Sequence, residues 1–63
     1  MLSRIWTKTQ TQTTIKQLRK SGYIVSKLNS GYECMLDDKI IFKAMNGQNG
    51  YLVRYEESLF NLK

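Results

Sequence analysis

Hydrophobic residues from Tyr23 onward fall into four short runs separated by turn residues. The runs are YIVSKL (23–28), YECML (32–36), IIFKAM (40–45) and YLVRY (51–55). The breaks between them, NSG, DDK and NGQNG, consist largely of residues that favour turns. Runs of this length and spacing predict an antiparallel β-meander of three or four strands.

Alternation within each run predicts which side chains face the core. For the last strand two options remain open: either Leu52 faces inward, or Tyr51, Val53 and Tyr55 do. For the first three strands, alternation predicts an inward set of Ile24, Leu28, Tyr32, Cys34, Leu36, Ile40, Phe42 and Ala44.

A short helix is expected before the first strand. The sequence TIKQ has the spacing of a capping box, in which the Thr14 hydroxyl accepts from the amide of Gln17. Gly22 suits the left-handed position that follows a helix. We therefore expect a helix at about 14–21, packed on one face of the sheet, and hence an α+β fold. A helix that begins earlier, near Lys8, is the alternative.

The segment TKTQTQTT (7–14) alternates threonine with lysine or glutamine almost throughout. Threonine is a poor helix former and a good strand former, so this pattern predicts a polar edge strand or an extended arm. The 63 residues are expected to form one small domain (1–63). Within that domain, residues 1–13 form either an extended arm or an additional edge strand.

Two sequence features near the end of the chain have more than one interpretation. A phosphate-binding loop leads into a helix, but NGQNG is followed by a strand, so it is interpreted as the turn of the hairpin between 40–45 and 51–55. Either Asn-Gly pair can take that turn. The tail ESLFNLK, with Leu59, Phe60 and Leu62, is either a helical turn that caps the core or an exposed apolar tail.

The residues that could support catalysis are few. The chain has no histidine and a single cysteine, Cys34, so it cannot form an internal disulfide, and a zinc site is not expected. Asp37 and Asp38 lie in a turn, and Glu56 and Glu57 are adjacent, so neither carboxylate pair is expected to share a pocket. We predict that the protein is not an enzyme, has no cofactor or metal, and buries Cys34 as a small hydrophobic residue.

The cellular compartment is predicted from the cysteine content and from hydropathy. A lone cysteine indicates a reducing environment. The first residues, MLSRIW, lack the apolar stretch of a secretory signal, and no window approaches the length of a membrane-spanning helix. A cytoplasmic protein without a membrane partner is therefore expected.

The positive charge is concentrated in the first half of the chain. Residues 1–32 contain six basic residues and no acidic one, whereas residues 33–63 contain four basic and five acidic residues. This asymmetry indicates an anionic partner, although a solvated basic surface that maintains solubility is the simpler interpretation. Trp6 is either a packing residue at the N-terminus or an anchor for a partner. The candidate binding residues are Arg4, Trp6, Lys8, Lys16, Arg19, Lys20 and Lys27.

Two functions are consistent with these features. The first is a non-enzymatic interaction protein, of the accessory kind that phages and mobile elements encode, which binds an acidic surface of a larger protein and modulates it. The alternative is a nucleic-acid-binding protein that uses the basic half for phosphates and the tyrosines of the sheet for base stacking. A homodimer is also considered, because so small a sheet has an unpaired edge strand.

The segment IKQLRKSGYIVSKLNSGYECML (15–36) resembles the opening of HicA-type toxins, small RNA-cleaving proteins with a fold like that of double-stranded-RNA-binding domains. The shared pattern is a short basic helix, a glycine followed by an aromatic residue, a strand, a glycine turn and a second strand. The resemblance implies an α-β-β-β order. The family's catalytic histidine follows the glycine turn, where this chain has GYEC, so ribonuclease activity is not expected.

Overall fold

The computed structural model describes residues 2–60, with side chains as far as Leu59, and shows one helix packed on one face of a five-stranded antiparallel sheet. The elements are β1 (Leu2–Trp6), α1 (Lys8–Lys20), β2 (Val25–Leu28), β3 (Gly31–Leu36), β4 (Lys39–Gly47), β5 (Gly50–Tyr55) and a 3₁₀ turn (Glu57–Phe60). The strand order is β1-β5-β4-β3-β2, so β4 is central and β1 and β2 are the edges. The predicted α+β class, with a meander and an additional N-terminal edge strand, is confirmed.

The N-terminal edge strand lies earlier in the chain than the threonine alternation predicted. Strand β1 pairs with β5, from Leu2 opposite Tyr55 to Trp6 opposite Tyr51. The segment predicted as an extended strand or arm, from Thr7 onward, is helical instead. Alternation of threonine with polar residues is therefore not a strand signal here.

The helix begins at Lys8, as the alternative interpretation predicted, and not at Thr14. Thr7 is its N-cap: the hydroxyl accepts from the amide of Gln10 over 3.1 Å, and the Gln10 side chain accepts from the amide of Thr7 over 3.0 Å. TKTQ thus has the same capping-box spacing as TIKQ, seven residues earlier. The helix ends at Lys20, and Gly22 follows with a left-handed φ of 99°, as predicted.

The buried face of α1 explains why the earlier start is preferred. Thr11, Ile15 and Leu18 are buried at spacings of four and three residues, which is one face of a helix. The Thr11 hydroxyl donates to the carbonyl oxygen of Thr7 over 2.9 Å, so the buried polar atom is satisfied. A helix starting at Thr14 would leave the Thr11 position outside the packed face.

The core lies between α1 and the sheet. In β5 the inward set is Tyr51, Val53 and Tyr55, and Leu52 faces away from the helix, which resolves the open alternative. The buried hydrophobic residues are Ile15, Leu18, Val25, Cys34, Ile41, Phe42, Ala44, Tyr51 and Val53.

The predicted inward set was wrong in β2 and in part of β4, and at the end of β3 the predicted Leu36 is 49% exposed. Val25 pairs with Cys34 and therefore faces the core, while Ile24 is 79% exposed and Leu28, opposite Gly31, lies on the face away from the helix. The pairing of β4 with β3 shifts register: Cys34 pairs with Phe42 but Met35 with Ile40, so Ile41 is the additional residue and is buried, and Ile40 is turned toward the other face. A β-bulge of this kind changes which residues face inward, and alternation alone cannot detect it.

Three two-residue turns connect the strands of the meander. In the β3–β4 turn, Asp37 and Asp38 both have positive φ, 52° and 65°, as a type I′ turn requires. The β4–β5 hairpin is confirmed, and its turn residues are Gln48 and Asn49. The first Asn-Gly pair therefore ends β4, and the second contributes its asparagine to the turn and its glycine to β5. Gly50 has a φ of 143°, and a Cβ there would collide with the carbonyl oxygen of Trp6 in β1.

The chain after β5 forms the 3₁₀ turn, and Leu59 packs against the core. Of the two interpretations of the tail, the structure has the helical turn that caps the core. Leu62 lies outside the described residues.

Candidate functional site

Basic residues follow a ridge along the exposed side of α1. Lys8, Gln12, Lys16 and Lys20 are spaced four residues apart, so their side chains are successive neighbours along the helix. All four are exposed, and residues 2–32 contain no acidic residue. The ridge therefore carries positive charge alone.

Two hydrogen bonds place this ridge beside strands β2 and β3. Gln12 donates from Nε2 to the Tyr32 hydroxyl over 3.1 Å, and Arg19 donates from Nη2 to the carbonyl oxygen of Val25 over 3.0 Å. Lys27 pairs with Tyr32 across the sheet, so its side chain projects on the helix side. We call the set that results the basic surface: Lys8, Lys16, Arg19, Lys20 and Lys27.

Arg4 and Trp6 lie at the other edge of the sheet. Both belong to β1, which is separated from β2 by three strands. Arg4 is exposed and donates from Nη1 to the carbonyl oxygen of Ser3 over 3.1 Å. The structure thus brings together five of the seven predicted site residues and places the other two elsewhere.

Trp6 packs within the protein. Its ring centroid lies 6.0 Å from that of Phe42 and 5.5 Å from that of Tyr55, and the side chain is half-buried against the core. The remainder of the ring borders a cavity of about 390 Å³ between β1 and the first turns of α1. Trp6 is therefore a packing residue at the N-terminus, with one side facing this cavity.

A polar cavity of about 310 Å³ adjoins the basic surface next to Lys27. The polar residues that line it include Asn29, Asn46 and Tyr32. Amide and hydroxyl groups can both donate and accept hydrogen bonds, so the cavity can accommodate a polar group of a ligand whose charge is held by Lys27.

The tyrosines of the sheet do not form an exposed stacking platform. All aromatic residues of β1 to β5 lie on the helix side, where they are buried or half-buried: Trp6, Tyr32, Phe42, Tyr51 and Tyr55. Lys43 and Arg54 project from the opposite face. Aromatic and cationic residues that alternate along these strands therefore lie on opposite faces of the sheet.

The groups that could do chemistry are dispersed or buried. Cys34 is fully buried, as predicted, and burial raises the pKa of its thiol, so it is held in the less reactive neutral form. Within residues 2–60, no cluster of acidic residues and cysteine could hold a metal ion. Glu56 lies 3.9 Å from the Lys39 ammonium in an ion pair at the solvent-exposed end of the sheet.

A second surface, which the sequence interpretation missed, is the sheet face turned away from α1, called here the open face. One row of residues crosses all five strands on this face. By register it contains Ile5, Leu52, Met45, Gly31 and Leu28. Ile5 is 77% exposed, Leu52 46% and Met45 40%. The signal was present in the sequence, because these residues occupy the alternate positions of strands whose other positions form the core.

Comparisons with known proteins give no family for this chain. No protein-family model matches it, and neither a curated protein nor a solved structure matches it significantly. The α-β-β-β order implied by the resemblance to HicA-type toxins is present as α1, β2, β3 and β4. None of the helices in the described part of the chain is long and apolar enough to cross a bilayer.

Proposed function

We propose that this protein is a non-enzymatic interaction protein that binds an acidic surface of a larger protein through its basic surface. The observation that carries the proposal is the clustering of five cations on one side of the α1–β2 unit, which contains no acidic residue. A uniform patch of one charge steers and orients an oppositely charged partner. Its biological role would be that of a cytoplasmic accessory protein of the phage or mobile-element type, which modulates its partner.

The charges of the basic surface are available to a partner. Within residues 2–60 no ion pair involves them, whereas Lys39 is paired with Glu56. Charges left unpaired by the protein's own carboxylates stay accessible to another molecule. The scaffold beneath them is held by the Gln12 and Arg19 hydrogen bonds, so binding would require little ordering of the backbone.

Affinity capture from a lysate of the natural host tests this proposal. The tagged protein is expected to retain one specific protein after nuclease treatment. The variant Lys16→Glu/Lys27→Glu is expected to lose that protein, because it reverses one charge on the helix and one on β2. The control Arg4→Glu/Lys39→Glu changes net charge equally but outside both the basic surface and the open face, and it is expected to retain the partner. Equal loss in both variants would show that the surface is not the binding site.

Nucleic acid is the second candidate partner, and the polar cavity beside Lys27 is the observation that favours it. A phosphate held by Lys27 would place a nucleotide near Asn29 and Asn46, whose amides could hydrogen-bond a base edge. Titration with fluorescent single- and double-stranded oligonucleotides at low salt tests this candidate. Binding that weakens steeply with salt, and that Asn46→Ala weakens further, is expected if it is correct. An absence of binding at low salt would eliminate it.

We further propose that the protein acts as a homodimer. Its surface for self-association is the open face, which is independent of the basic surface.

A further inference from the structure

We infer that the open face is the interface for a second copy of this chain, so that two sheets stack face to face with their helices outward. The face carries an apolar row across all five strands, from Ile5 through Leu52 and Met45 to Leu28. Exposed apolar residues that form a contiguous patch mark interaction sites, whereas scattered ones do not. The proposal concerns the face opposite the basic surface and does not depend on what that surface binds.

The next row along the strands carries charge of both signs. Ser3, Arg54, Lys43, Glu33 and Ser26 pair in sequence across the sheet. Lys43 belongs to the central strand β4, with Arg54 on one side and Glu33 on the other. The row is therefore positive toward β1 and negative toward β3.

This arrangement is self-complementary about a two-fold axis that runs along β4 between the two sheets. Such an axis places β5 of one copy over β3 of the other, so Arg54 of each copy faces Glu33 of the second copy. The two Lys43 side chains meet at the axis, where Glu33 of both copies flanks them. An axis perpendicular to the strands would instead place Arg54 against Arg54. Charge complementarity thus selects one orientation.

The same axis also brings the apolar rows of the two copies together. Leu52 of one copy faces Gly31 of the other, and Ile5 faces Leu28. Met45 meets its own counterpart at the axis. Packed sheets are rotated by about 30° relative to each other, so the match is closest in β5, β4 and β3, near the axis.

The size of the open face is sufficient for a specific dimer. Five strands spaced about 4.8 Å apart, with about 3.3 Å per residue along each strand, give a face of roughly 20 by 20 Å. Stacking two such faces would remove on the order of 1,000 Å² of accessible surface in total, which is the lower limit for a specific interface. A dimer of modest affinity is expected, and it would present two basic surfaces on opposite sides.

Sedimentation velocity across a micromolar concentration series tests the dimer. The wild-type protein is expected to dimerise, and Leu52→Glu is expected to raise the dissociation constant at least about tenfold because it buries a carboxylate. Leu36→Glu is the matched control. Leu36 is 49% exposed against 46% for Leu52, but it borders a cavity with Tyr23 and Ile41 on the helix side. Circular dichroism and thermal unfolding would be measured to check that each variant is folded.

A charge-reversal cycle tests the orientation. Arg54→Glu and Glu33→Arg should each weaken the dimer, because each places like charges in contact across the interface, and the double variant should restore it. Within one sheet Arg54→Glu places opposite charges side by side, so a weakened dimer cannot be attributed to misfolding. The inference would be overturned if the wild-type protein were monomeric at every concentration or if Leu52→Glu dimerised as tightly as the wild type. It would also be overturned if the double variant did not restore the affinity of the dimer.

Discussion

Arg19 donates a hydrogen bond from Nη2 to the carbonyl oxygen of Val25 over 3.0 Å, and this bond joins the last turn of α1 to the first residue of β2. The two elements that carry the basic surface are thereby connected directly. Arg19 thus has a structural role in addition to its charge, whereas Lys16 contributes its charge from an exposed position on the helix.

The first prediction separates these two roles. Arg19→Ala is expected to lower the free energy of unfolding by about 1 kcal/mol, the usual net contribution of one hydrogen bond. Lys16→Ala is expected to change it by less than about 0.5 kcal/mol, as exposed substitutions usually do. Urea unfolding of both variants measures the difference. An equal cost in both would mean that the bond to Val25 contributes nothing.

The second prediction concerns the start of the helix. Thr7→Ala removes the hydroxyl that caps α1 and should destabilise the protein by about 1 kcal/mol. Thr14→Ala replaces a residue inside the helix with a better helix former and should be neutral or slightly stabilising. Chemical denaturation of the pair distinguishes the two possible starts. If Thr14→Ala were the costly change, the helix would begin at Thr14.

The third prediction concerns the β3–β4 turn. Asp38 has a φ of 65°, which costs free energy for any residue with a side chain, so Asp38→Gly should stabilise the protein by up to about 1 kcal/mol. The control is Asn49→Gly in the β4–β5 turn, where φ is not positive and glycine only adds freedom to the unfolded chain. The midpoint of thermal unfolding should rise for Asp38→Gly and should not rise for Asn49→Gly. A gain in both would contradict the assignment of turn types.

The fourth prediction concerns pH. Burial raises the pKa of Cys34 above its ordinary value of 9.0, so the unfolded chain loses this proton at lower pH than the folded protein does. The thiol's contribution to stability is complete below pH 9.0 and is lost as pH rises toward the folded pKa. Cys34→Ala should therefore show a shallower loss of stability above that pH than the wild type. Parallel curves for the two proteins would contradict the burial of the thiol.

The fold class could be predicted from the sequence, because each strand of the meander is bounded by its own turn residues. The start of the helix was not predicted correctly, because TKTQ and TIKQ have the same capping-box spacing. Only the packing of Thr11 on the core distinguishes them. The choice between Ile24 and Val25 likewise depends on pairing with Cys34, which is a tertiary relationship.

The candidate site could be predicted only in part. The lack of acidic residues before Glu33 indicated that the basic residues of this segment are candidates for binding. It did not indicate which of them lie together, since the position of Arg4 relative to Lys27 depends on the strand order. The open face was missed because Leu52 and Met45 are ordinary strand residues in sequence. They form a continuous surface only because the register of the strands places them side by side.

The most direct test of the basic surface is elution from an anionic matrix such as heparin in a salt gradient. The variant Lys16→Gln/Lys27→Gln and the control Arg4→Gln/Lys39→Gln each reduce the net charge from +5 by two, to +3. If the basic surface holds the anion, the first variant should elute at clearly lower salt than the wild type and the control close to it. Elution of both variants at the same salt concentration would show that net charge alone governs binding and would contradict the proposed site.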